Sequence, residues 1–368
     1  MSTKSTSERL LSLDALRGFD MFWIAGGEKI FHVLAKVTGW GSAVWIAQQF
    51  DHPDWHGFKI YDLIFPLFIF LAGVSTPYSI GSRLAKGVSK NELAKKSIKR
   101  AVILILLGIV VNNGIFHEPI GEWRIASVLG RIGLAGMFAQ LIYIYFNPKA
   151  QWTWFGGILI GYWLFMAFFP VPGCGAGMLT MDCNPASYLD TLILPGVLYK
   201  GIHDPEGLLS TIPAIANALA GVFAGVLLKS ALAQKDKVIQ LAAAGIICVS
   251  VALLWDVIFP INKNIWTSSF ALYTIGWSFL LLALFYGIID VLKYRRWTFF
   301  FIVIGMNSIV VYMIGDFINF QYTADAIFGG ILSLFPEGFE LFGKVIAFLA
   351  VKWAFMYLLY KNKLFLKV

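Results

Sequence analysis

Long apolar stretches recur along the chain, separated by short polar segments. About 20 apolar residues suffice to cross the hydrocarbon of a bilayer as a helix. On that rule the pattern predicts about ten spans, near 10–34, 60–81, 100–114, 124–146, 152–170, 207–229, 238–259, 266–289, 297–317 and 341–360. The expected class is all-α, a polytopic helical membrane protein, because backbone polar groups in hydrocarbon must be satisfied within each segment. No internal repeat and no low-complexity linker interrupts the series. The simplest organisation is one integral-membrane domain over 1–368, with an outer loop 171–206 and a basic cytoplasmic loop 82–100.

Composition agrees. The 368 residues are 58% hydrophobic and 14% charged, where a soluble domain carries about 25% charge. The net charge of +8 is then read as the positive-inside signal and as attraction to anionic lipid, with no nucleic-acid partner implied. Seven basic residues lie between Arg83 and Arg100, and short loops retain Lys and Arg on the cytoplasmic side. With that loop inside, both termini are inside. Lys4, Arg9, Lys149, Lys229, Lys235, Lys237, Lys293, Arg295, Arg296, Lys361, Lys363 and Lys367 then fall on the same side, and the outer loop 318–340 holds no Lys or Arg. The first apolar segment contains Asp14, Arg17, Asp20 and Glu28, unlike a signal-peptide core, so no cleaved leader is expected. Cys248 reads as packing, whereas Cys174 and Cys183 share the outer loop, where an oxidising compartment permits a disulfide.

Ionisable groups inside spans are expensive and mark a site or a polar pathway by default. Asp14, Arg17 and Asp20 stand at i, i+3 and i+6. They form either a self-neutralising ladder or a place where Arg17 meets an anionic ligand entering from the cytoplasm. Glu28 lies farther out on the same segment. The second span opens with His52-Pro53-Asp54-Trp55-His56-Gly57 and continues to Asp62 and Pro66. A histidine at that outer mouth can act as a base near neutral pH, with a carboxylate fixing its tautomer. A lone exposed histidine is more often idle. The pair His52/His56 at i, i+4 lacks a third metal ligand and the intervening Glu of a zinc protease motif, so no metal is expected. Arg124 and Arg131 share a helix face; each either pairs with a carboxylate such as Glu28 or Asp62 or binds phosphate or carbonyl oxygen. Asn262, Lys263 and Asn264 follow Pro260 at an outer helix start, and Asn307 and Tyr312 lie in the ninth span. Amides there commonly bridge helices.

These segments also form an ordered series: Arg9-Leu-Leu-Ser-Leu-Asp14-Ala-Leu-Arg17-Gly18; His52-Pro-Asp-Trp55-His56-Gly57; Asp62-Leu-Ile-Phe-Pro66; Arg124-Ile-Ala-Ser-Val-Leu-Gly-Arg131; Val171-Pro172-Gly173-Cys174; Asp204-Pro205-Glu206-Gly207; Ile261-Asn262-Lys263-Asn264; Gly305-Met-Asn307-Ser308. Over residues 9–368 the series resembles the transmembrane acyltransferase family of lysosomal heparan-α-glucosaminide N-acetyltransferase and its bacterial NagX-like relatives. The resemblance implies acetyl transfer from cytoplasmic acetyl-CoA to an amine on the far side, typically that of a terminal glucosamine.

Carried onto this chain, the family's catalytic histidine falls on His52, and Asp62 would orient it. Arg17, Arg83 or Arg100 would screen the nucleotide phosphates of acetyl-CoA, with Arg124 and Arg131 as further cofactor contacts. Asn262 or Asn264 would bind the thioester oxygen. Glu28, Trp55, His56, Lys263 and Asn307 would face the acceptor, an amino sugar or glycan. Two departures bear on that acceptor: Glu28 stands at about the place of a family Asn, and Gly315 where lysosomal members carry His. The lysosomal N-terminal extension is not expected, and a bacterial inner membrane is the expected location; a homodimer is compatible with the sequence. The competing class is a transporter of a small solute or sugar, which buried charges in spans would also fit.

Overall fold

The computed structural model describes residues 10–114 and 119–366, so Lys4, Arg9 and Lys367 of the positive-inside set lie outside the described residues. Among the described residues the secondary structure is helical, without strands; two isolated β-bridges, Arg124–Gly196 and Val171–Gly175, tie loops. Six helices are long and apolar enough to cross a membrane: Ile60–Leu84, Val128–Tyr145, Thr211–Lys229, Gln234–Asp256, Ser268–Val291 and Glu337–Lys361. Thr298–Gly305 and Ser308–Phe317 make a seventh candidate, bent by 69°.

The other three expected spans are not among these candidates. The run 10–34 is broken: Leu11–Phe22 passes into a π-helical turn at Trp23–Gly27, where Gly26 takes φ +117°, before Lys29–Thr38 begins. A π turn and a left-handed glycine interrupt the i→i−4 ladder, and periodicity does not reveal either. The run 100–114 is the apolar half of a longer helix, Lys90–Asn113, capped by the Ser89 hydroxyl on the Glu92 N–H and strongly basic along its first turns. The run 152–170 lies on Pro148–Phe168, started by Pro148 and capped by Asn147.

The chain divides into two compact units. One contains residues up to Asp51, Ala233–Ile239 and Leu281 onward; the other contains His52–Leu232 and Gln240–Leu280. In the second unit, Ile60–Leu84 and Thr211–Lys229 meet backbone to backbone. A Cβ at Gly73 would collide with the Ala218 carbonyl, and one at Gly221 with the Phe70 carbonyl. Small residues let helices approach closely in a setting where apolar burial alone gives little drive. The first unit uses the same device at Gly18, against the Phe301 carbonyl.

The long helix Ile60–Leu84 carries Asp62 near one end and Arg83 at the other, with about 30 Å of helical rise between them. At the Arg83 end, Ile80, Leu93 and Ile144 form a buried cluster, the Tyr145 hydroxyl donates to Asn91 at 2.9 Å, and Lys229 Nζ donates to the Pro77 carbonyl at 2.8 Å. The basic loop and Lys229 thus share that end. The Asp62 end is roofed by the loop 171–206, in which Cys174 and Cys183 are joined by a disulfide with Cα atoms 5.9 Å apart. Trp55 anchors this roof by donating its indole N–H to the Leu179 carbonyl at 2.7 Å.

Candidate active site

The second unit gathers His52, His56, Asp62, Asn262 and Lys263 at the same end of Ile60–Leu84. His52 Nδ1 lies 2.6 Å from Asp62 Oδ1. Asp62 is fully buried, and its second oxygen accepts the Lys59 backbone N–H at 3.0 Å. A buried carboxylate needs such partners to remain charged, and here they also fix its direction. With the Nδ1 proton donated to Asp62, the lone pair of Nε2 is the reactive one. The His52 side chain is 48% exposed, so the ring can be reached from outside while its carboxylate partner cannot. The ring is flanked by Tyr61, with centroids 5.3 Å apart.

Lys263 closes the group. Its Nζ lies 3.4 Å from Asp62 Oδ1 and 3.1 Å from His52 Nε2. Burial pulls the Lys263 ammonium below the ordinary lysine value, and Asp62 works against that fall. The lysine is held by a tightly tied loop. The Thr267 hydroxyl donates to the Pro260 carbonyl at 2.9 Å and accepts the Asn262 N–H at 3.0 Å, and Gly57 N–H donates to the Ile261 carbonyl at 2.8 Å. Asn262, wholly buried, contacts His56 Nδ1 through Nδ2 at 3.2 Å and accepts the Ile265 N–H at 3.2 Å. Its amide is therefore committed to the protein on both sides. Burial also lowers the His56 imidazole below the usual histidine value. Asn264 stands beside His203, a buried ring that meets Trp55 edge-on at 5.3 Å.

Both cofactor candidates of the fourth span are engaged elsewhere in this unit. Arg124 grips Asp204 bidentately, Nε and Nη2 each 2.7 Å from a carboxylate oxygen, and also pairs with Glu206. Arg131, 1% exposed, donates to the Thr211 hydroxyl at 3.3 Å, the Gly207 carbonyl at 3.2 Å and the Ser210 hydroxyl, and its guanidinium lies 4.6 Å over the Trp266 ring. Asp62 is not the carboxylate that answers either arginine. The answering groups come from 204–211, since that segment turns into the helix Thr211–Lys229 directly beside Val128–Tyr145. Asp204 and Glu206 stand in the sequence only as letters of the Asp204-Pro205-Glu206-Gly207 motif, and two acids so close together against two span arginines are the readable sign of their pairing.

Arg83 lies at the basic end, and Arg100 sits about 15 Å along Lys90–Asn113 from its start. Arg17, Glu28 and Asn307 belong to the other unit. There Arg17 stands 3.5 Å from Asp14. Asn307, 2% exposed, donates to the Leu364 carbonyl at 3.0 Å and accepts the Leu366 N–H at 3.2 Å, so it fastens the last described segment. Glu28 lines a cavity together with Lys352. Lys352 stands midway along the apolar run 341–360, a position where a charge is itself a readable sign. Among the described residues no cluster of three or more His, Cys, Asp or Glu has a metal-holding arrangement.

No family model matches the chain. It is 30% identical to the heparan-alpha-glucosaminide N-acetyltransferase of Homo sapiens, over 83% of this chain and 52% of that protein. It is 29% identical to the protein of the same name from Mus musculus, over 99% of this chain and 61% of that protein. The chain thus spans roughly half to three-fifths of the length of these relatives. The ordered motifs of the His52 mouth and the extent of this likeness agree: over most of its own length the chain is similar to heparan-alpha-glucosaminide N-acetyltransferases.

Proposed function

We propose that the chain is a multi-pass membrane acetyltransferase that moves an acetyl group from cytoplasmic acetyl-CoA to an extracytoplasmic amino sugar or glycan. The observation that carries this reading is the exposed His52 ring, held through Nδ1 by buried Asp62 at 2.6 Å. Asp62 lies at the end of its span opposite the basic loop. By the positive-inside rule that loop is cytoplasmic, and His52 is then on the outer side. The relatives' printed names support transfer over the transporter alternative. They are mammalian and bear on the chemistry, while the charge pattern supports a cytoplasmic membrane, such as a bacterial inner membrane.

In this reading His52 Nε2 takes the proton of the acceptor amine as its nitrogen attacks the thioester carbonyl. The new C–N bond forms, the C–S bond breaks, and the proton passes from His52 to the departing thiolate. In the two-step form Nε2 itself attacks, carries the acetyl group, and yields it to the amine. Asp62 serves both routes by keeping the proton on Nδ1 and balancing the imidazolium that forms. Lys263 is suited to donate to the carbonyl oxygen as negative charge grows there, a better candidate than Asn262, whose amide is already committed. Arg100, set inward along its helix, is a better phosphate partner than Arg83 for a donor that must reach His52.

The test is acetyl transfer from labelled acetyl-CoA in reconstituted vesicles of known orientation. His52→Ala should lose transfer while keeping its elution profile and thermal midpoint; full activity in that variant overturns the assignment.

A further inference from the structure

The first unit holds a half-open cavity of about 600 Å³ whose lining brings together Glu28, Lys29, Asp316 and Lys352 beside the rings of Phe320 and Phe348. Two of these charges are short of partners. Lys352 is 7% exposed, yet its ammonium, with three N–H groups, makes a single hydrogen bond, 3.2 Å to the Ala25 carbonyl. Glu28 Oε2 is buried with no hydrogen-bond partner. Among the described residues no ion pair joins them to each other. Beside Lys352 there is room: a Cβ on Gly315 would lie 3.7 Å from its Nζ. The rings add a binding face, with Phe320 and Phe348 at 5.9 and 5.7 Å from the Lys352 ammonium and Lys29 at 4.5 Å over Phe348.

Buried polar groups left short of direct hydrogen-bond partners are costly, and a cavity that holds a carboxylate and an ammonium out of direct contact answers that cost when a ligand bridges them. We propose that this cavity binds a small zwitterion, a ring-sized molecule carrying a protonated amine for Glu28 and a carboxylate for Lys352, seated against the phenylalanine faces. As a binding site it stands apart from the acyltransferase reading. Glu28 and Lys352 are then the residues by which the cavity selects an amino sugar carrying both charges over one carrying a single charge.

Four pyranoses separate the charges: muramic acid with both, glucosamine with the amine, glucuronic acid with the carboxylate, and glucose with neither. Binding is measured by calorimetry on the whole protein in nanodiscs without acetyl-CoA, so the result is independent of transfer. Muramic acid is expected to bind at least tenfold more tightly than the other three. Glu28→Gln should bring it to the level of glucuronic acid and Lys352→Met to the level of glucosamine, while Lys352→Arg keeps the advantage. Should Lys352→Met fail to fold, Glu28→Gln and Lys352→Arg still decide. Equal or absent binding of all four, or an advantage that survives Glu28→Gln, overturns the proposal.

Discussion

Two charge clusters of the second unit use the same ingredients to opposite ends. In one, Arg124 and Arg131 meet Asp204, Glu206 and the start of the helix Thr211–Lys229, and nearly every donor has a fixed acceptor. In the other, Asp62 is equally buried, but the histidine it holds is half-exposed, and its second nitrogen meets the Lys263 ammonium. A saturated cluster stabilises a shape. A cluster buried on one side only leaves its outer ring within reach of a ligand, as a base or nucleophile requires. The contrast makes separate predictions for activity and for stability.

The sharpest break is His52→Ala. Removing a positioned base costs between about a hundredfold and ten-thousandfold in transfer, and an exposed ring leaves little packing to lose. Rate per folded molecule should collapse, with the thermal midpoint held. Arg124→Ala inverts this outcome. Breaking a buried ion pair from one side costs about 3–5 kcal/mol, toward the lower end here because the arginine side chain is 18% exposed. Yield and thermal midpoint should fall, while surviving folded protein transfers acetyl at close to the parent rate. If Arg124→Ala instead folds normally and loses activity, the assignment of that cluster to structure is wrong.

What could be read from the sequence follows the same division. His52 and Asp62 are ten residues apart across one helix start, so their pairing was visible locally. Arg124 and Asp204 are brought together by tertiary packing, which apolar periodicity does not encode, and their partners were accordingly misjudged. The span near 10–34 read as one helix because hydropathy registers composition, while its break depends on a backbone turn at Gly26. Lys263 was visible as a polar residue at a helix start. Its reach to both His52 and Asp62 depends on the Thr267 and Gly57 ties, which only the folded loop provides.

Smaller changes sharpen the contrast. Asp62→Asn keeps volume but offers an N–H where Nδ1 needs an acceptor, and the tautomer that frees Nε2 is lost. A fall of about a hundredfold in transfer is expected, recorded beside an unchanged Km for acetyl-CoA. Lys263→Met should cost about a hundredfold, the lower end for removing one donor to a developing oxyanion. Its activity should also lose any alkaline decline that deprotonation of this lysine imposes on the parent, which a pH–rate profile reads directly.

The smallest effect lies inside the saturated cluster, at Asp190. Its Oδ1 accepts the Leu208 N–H at 2.9 Å and the Leu209 N–H at 3.4 Å, yet burial raises its carboxyl to about 6, outweighing those bonds and Arg131. A carboxyl raised in the fold binds its proton more tightly folded than unfolded, so stability falls as pH rises from about 4 to about 6 and stays reduced above. At roughly 1.4 kcal/mol per pH unit the upper limit is about 3 kcal/mol. Asp190→Asn keeps the acceptor for both N–H groups and removes the titration, though it also takes a counter-charge from Arg131. The expected gain is therefore about 1–2 kcal/mol at neutral pH. The difference in thermal midpoint between variant and parent should be near zero at pH 4, grow to pH 6, and level off. A flat difference would mean that Asp190 stays ionised throughout, and that even this buried member of the cluster is fully compensated by its neighbours.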